Sequence, residues 1–145
     1  TTAQLCLIYG PKYGEEVDYN RCIQMALIHE TARVNVPDVP IRTVTGAINH
    51  GVGEHKELEW DTVATLYRAP LLMPLRKLWD EYTAGETLEA IIVQDMKRIA
   101  FVLQARSLAH DSEIKQVDLR MASLYMTEDL SLPKSREIFK SIFNL

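Results

Sequence analysis

The stretch from Glu86 to about Ala109 constrains this chain more than any other. Its apolar residues Leu88, Ile92, Ile99 and Val102 recur at helical spacing, predicting the longest helix of the molecule. The same spacing dominates the rest of the chain, and the alternation of a half-buried strand is missing throughout. A chain built this way has one economical solution, helices packed on helices around a shared core.

Punctuation residues divide the chain into elements. Residues 3–9 predict the end of a helix, stopped by Gly10-Pro11 and a turn at Gly14. Asp18 or Asn20 caps a second helix carrying Ile23, Met25, Ala26, Leu27 and Ile28, which runs to about Val34. The turn Pro37-Asp38-Val39-Pro40, a short piece over 42–48 and a Gly/His loop at 49–53 follow. A third helix spans Glu54 to Arg68, and Pro70 and Pro74 bracket the start of a fourth that ends at Gly85. After the long helix, Asp111-Ser112 caps a sixth, and Pro133 precedes a terminal helix bearing Ile138, Phe139, Ile142 and Phe143 on one side. The expected architecture is an all-α bundle of six to seven helices, with 1–145 as one domain.

The bulk numbers narrow the function classes. A net charge of −4 argues against direct nucleic-acid binding by broad phosphate neutralisation. No apolar run approaches the roughly 20 residues needed to span a bilayer. Cys6 and Cys22 lie in apolar helical patterns without metal-ligand spacing, which predicts two reduced core thiols. That fits an intracellular setting, with cytoplasm and mitochondrion both open. The sequence begins at Thr1 without an initiator Met, so it is expected to be processed or incomplete, with any targeting peptide upstream.

Two segments together carry a family resemblance. The first is Arg21-Cys22-Ile23-Gln24-Met25-Ala26-Leu27-Ile28-His29-Glu30-Thr31-Ala32-Arg33, followed by Val36-Pro37-Asp38-Val39-Pro40. The second is Leu78-Trp79-Asp80-Glu81-Tyr82, then Glu86-Thr87-Leu88-Glu89-Ala90 and the helix to Val102-Leu103-Gln104-Ala105. In order and spacing they resemble the HD-domain 5′-deoxynucleotidases. The resemblance covers residues 18–110 and leaves 111–145 as a helical C-terminal extension without a placed motif.

The resemblance implies a divalent metal such as Co, Mn or Mg, held by a first His, a His-Asp pair and an Asp on a later helix. The metal activates water against a nucleoside 5′-monophosphate. Position by position, this chain departs from that set. The paired His is His29, but its Asp partner is Glu30, one methylene longer. A Glu four residues after the His is replaced by Arg33, while the Asp of a following turn survives as Asp38. The first His would fall near Leu5–Tyr9, where there is none, so it lies upstream of Thr1 or is absent. The last ligand position is Lys97, whose ammonium repels a cation, and a nearby Glu position is Ala100. Asp95 points about 160° away from Lys97 on an ideal helix. It falls on the apolar side, and reads as a buried acid with a hydrogen-bonding partner rather than a substitute ligand.

The expected site is therefore vestigial: His29, Glu30, Arg33, Asp38 and Lys97, with no catalytic residue, no resident metal and no cofactor. Lys97 and Arg33 are expected to supply the charge a metal once gave, by pairing with Glu30 and Asp38. His50 and His55, with Glu54, are expected to lie about a solvated Gly-rich loop tip rather than to form a replacement metal site. The expected function is a catalytically inactive HD-domain protein acting as a structural or interaction subunit, with protein partners, as a homodimer or within a large complex. Two other readings stay open: a divergent phosphohydrolase of nucleoside 5′-monophosphates, and a nucleotide or phosphate binder that uses Arg33 and Lys97 without hydrolysis.

Overall fold

The structure, a computed structural model, describes residues 1–32, 52–110 and 127–144. It is all-α, with no strand among the described residues. The helices are α1 (Thr2–Tyr9), α2 (Tyr19–Ala32), α3 (Val52–Leu66), α4 (Ala69–Ala84), α5 (Leu88–His110) and α6 (Pro133–Phe143). A short 3-10 turn, Gly10–Tyr13, joins α1 to α2. The expected piece over 42–48 and the helix opened by Asp111-Ser112 lie outside the described residues.

Local chemistry sets the helix ends. Asp18 caps α2, its Oδ1 accepting the Arg21 amide at 3.0 Å. Thr87 caps α5 through its hydroxyl, which accepts the Ala90 amide at 3.2 Å. Gly85 closes α4 in the left-handed region at φ 65°, where a Cβ is strained. Gly10 serves close approach instead: a Cβ there would lie 2.7 Å from Cβ of Tyr19. One expectation needs correcting. Pro74 does not bracket the start of α4 but lies inside it, because the helix already begins at Ala69 with Pro70 in its first turn. At Pro74 the missing amide would have bonded to the carbonyl of Pro70, close to the helix start, where losing one bond is tolerable.

α2 and α5 form the centre of the bundle. α1, α3 and α4 pack on α2, and α1, α4 and α6 pack on α5. Met25, Ile92, Val93, Met96, Ile99 and Phe139 fill the space between them and are fully or almost fully buried. Burying each large apolar side chain is worth roughly 1.5–3 kcal/mol, so the long helix is held chiefly by this packing. Cys6 and Cys22 are free and buried, and burial pushes both thiols up to about 12.

The C-terminal helix packs on its own domain. Ile138 and Phe139 are buried, and the Phe139 and Phe143 rings lie 4.5 Å apart. The Tyr13 and Ser135 hydroxyls share a hydrogen bond of 2.6 Å across 122 positions of sequence.

Candidate functional site

Side chains of α2, α4 and α5 meet at Tyr82, which contacts both His29 and Lys97. α2 contributes His29, which is buried because it occupies the same inward stripe as Cys22, Met25 and Ala32. α4 contributes Tyr82, also buried, whose ring centroid lies 5.0 Å from that of His29. α5 contributes Lys97, which donates from Nζ to the Tyr82 hydroxyl at 3.4 Å. Trp79, one turn before Tyr82, packs against it with ring centroids 5.8 Å apart. The Tyr82 side chain thus touches both His29 and Lys97.

Glu30 follows His29 directly but faces elsewhere. Its Oε1 accepts the Thr2 amide at 2.6 Å. The expected pairing of Lys97 with Glu30 is therefore corrected: Glu30 is engaged at the start of α1, and Lys97 reaches Tyr82. Arg33, Asp38 and His50 lie outside the described residues, as do the side chains of Glu54 and His55. Among the described residues, no three His, Cys, Asp or Glu side chains converge as a metal-binding group.

The opening residue of the first resemblance segment turns out to be a brace. Arg21 on α2 grips Glu81 on α4 through Nε, at 2.7 Å from Oε2, and through its terminal amine to the same oxygen. The Thr87 hydroxyl donates to Oε1 of Glu81 at 2.9 Å, tying in the start of α5. The Asp18 amide donates to Glu89 at 3.0 Å, a second tie between the starts of α2 and α5. Arg21 holds the Glu81 carboxyl below the usual carboxylate range. A carboxyl lowered on folding adds stability above its unfolded value, near 4.5, and loses it as pH falls through the folded value. Arg21 is partly solvated, which limits the gain. Glu81→Gln is expected to lower stability by about 1 kcal/mol at pH 7, with the difference from the parent shrinking towards pH 3. Urea unfolding across that range measures it; a gap that is constant with pH would deny the ion pair its role.

Asp95 behaves as its helical position foretold. It is fully buried, and its carboxylate accepts the Ser131 and Leu132 amides, each at 3.0 Å. Arg98, one turn on, pairs with it at 3.0 Å. These amides immediately precede α6, so Asp95 fixes the approach to the terminal helix and is committed to that task.

Sequence reasoning identified His29 and Lys97 but missed Tyr82, because an aromatic residue in an apolar stripe reads as packing. The available signal was its register: Tyr82 follows Trp79 by three positions and so shares its inward face.

An all-α bundle with the His29-Glu30 pair on α2, and Tyr82 of α4 lying between His29 and Lys97 of α5, accords with the HD-domain resemblance. The HD-domain family pattern matches residues 1–138, and the chain belongs to that family. The match reaches beyond 18–110, taking in α1 and the first half of α6. Among curated proteins, 5′-deoxynucleotidase HDDC2 of Bos taurus is 28% identical over 92 residues, covering 63% of this chain and 43% of that protein. The chain thus spans less than half the length of that relative. No solved structure matches it.

Proposed function

We propose that this chain is an HD domain that has lost hydrolysis and serves as a structural or interaction subunit of a larger assembly. One observation carries the reading: the position that the family resemblance assigns to the last metal-binding Asp is Lys97, and its ammonium bonds the Tyr82 hydroxyl. The described residues do not fit a divalent metal. An ammonium offers no lone pair to a cation, Tyr82 lies against both His29 and Lys97, and the Glu30 carboxylate is turned to α1. The deoxynucleotidase activity belongs to the bovine relative by its name; what supports its loss in this chain is the chemistry of the substituted positions.

The test is metal content of the purified chain by mass spectrometry, with phosphate release from deoxynucleoside 5′-monophosphates in added Co²⁺ or Mn²⁺. The expected result is no stoichiometric metal and no turnover above a blank. Stoichiometric metal with turnover would establish a divergent phosphohydrolase and overturn the proposal.

A further inference from the structure

Apolar surface is concentrated at the corner between α3 and α4. Leu66 closes α3, Tyr67 follows it, and Leu71 and Met73 lie near the start of α4; all four are exposed, Met73 by 67%. Pro70 and Pro74 are exposed beside them. At 100° per residue, Leu71, Leu72, Met73 and Pro74 step right round the axis of α4, so the helix is apolar on every side here. Such a turn suits an apolar surrounding, yet the buried residues of α4, Trp79 and Tyr82, come only later. The backbone suits it too. Pro70 and Pro74 have no N–H, and the Leu71 amide is bonded to the Arg68 carbonyl at 2.9 Å, which lowers the cost of taking this turn out of water. Every charged residue over 62–79 is basic: Arg68, Arg76 and Lys77. Arg76 pairs with Asp80 at 2.7 Å, while Arg68 and Lys77 are exposed. This local excess stands out in a chain of net charge −4.

We propose that the α3–α4 corner is a membrane-contact site. It dips Leu66, Tyr67, Leu71 and Met73 into the interface of an anionic bilayer, while Arg68 and Lys77 meet the lipid phosphates. A partner helix would cover one side of α4, whereas the fluid boundary of a bilayer encloses a turn that is apolar all round. That difference, with the all-basic charge of the corner, favours lipid over protein. The contact is peripheral, since no helix among the described residues is long and apolar enough to cross a membrane. The inference goes beyond the non-catalytic reading and does not depend on it, because Tyr82 lies near the other end of α4.

The experiment is co-sedimentation of the 145-residue chain and two variants with phosphatidylcholine vesicles, made with and without phosphatidylserine. The unaltered chain is expected to pellet with the phosphatidylserine vesicles far more than with the neutral ones, and less as salt is raised. Leu71→Glu with Met73→Glu is expected to weaken binding about ten-fold or more, and Arg68→Gln with Lys77→Gln about five-fold for each charge removed. All four side chains are exposed, so the urea midpoints of both variants are expected to match the parent, separating lost contact from lost folding. No pelleting, or equal pelleting with and without phosphatidylserine, overturns the inference, as does pelleting that survives Leu71→Glu with Met73→Glu. Self-association in solution that the same substitution abolishes, with no vesicle binding, assigns the corner to a second copy of the chain and overturns it too.

Discussion

Asp95→Ala is expected to destabilise the domain by about 3–5 kcal/mol and to free its C-terminal helix. The carboxylate has no solvent exposure, and it satisfies two backbone amides and one guanidinium. Alanine removes all three acceptor contacts at once and leaves the Ser131 and Leu132 amides beside a cavity. Pro133 follows and has no amide, so nothing at the next position compensates. Arg98 is more than one-third exposed and regains water, which keeps the loss below that of a fully buried pair. Asp95→Asn preserves the shape but points an amide donor at a site built for acceptors, and is expected to cost about 2 kcal/mol. Denaturant unfolding gives the magnitude. Trypsin gives the location: Lys134, Arg136 and Lys140 on α6 are expected to become cleavable well below the global transition. Unfolding in one step, with α6 protected throughout, would mean that Phe139 and Ile138 hold the helix without Asp95.

Asp95 also shows why parts of this molecule are legible without coordinates. Its side chain lies on the apolar side of α5 by helical geometry alone, and a buried acid must find donors. That it has donors follows from the sequence; that they are the amides of Ser131 and Leu132 does not. Those groups lie 36 and 37 positions away and carry no side-chain signature. The helices divide in the same way. α2, α4 and α5 announce themselves through Asp18, Gly85 and Thr87, because caps act over a few residues and leave local marks. Pro74 misled because proline breaks a helix interior yet is tolerated near its start, and which of the two applies depends on where the helix begins.

The candidate site splits along the same line. His29 and Lys97 stand out because a histidine on a core stripe and a lysine at a family acid position are chemically out of place. Glu30 stands out too, but its destination depends on how α1 lies on α2, a tertiary fact. An acid next to a histidine therefore suggested an ion pair with Lys97, while the nearer donor was the Thr2 amide of α1.

Tyr82 closes the site, and Tyr82→Ala is expected to cost about 3–5 kcal/mol, comparable with other large aromatic deletions. Its ring is buried between Trp79 and His29, so deletion leaves a void between α2 and α4 that the backbone relaxes only in part. Tyr82→Phe separates packing from polarity. It keeps both ring contacts and removes only the hydroxyl that Lys97 bonds at a long 3.4 Å, so a loss of about 1 kcal/mol or less is expected. Lys97 is only partly buried and can turn its ammonium to water when that acceptor is removed. The ratio of the two effects, read by urea unfolding with tryptophan fluorescence, reports what kind of site this is. A large Ala effect beside a small Phe effect describes a packed joint between helices, as a scaffold requires. Two small effects would describe an open polar pocket, the form a phosphate binder or a working hydrolase needs. Such a result would weigh against the non-catalytic reading, independently of any assay of turnover.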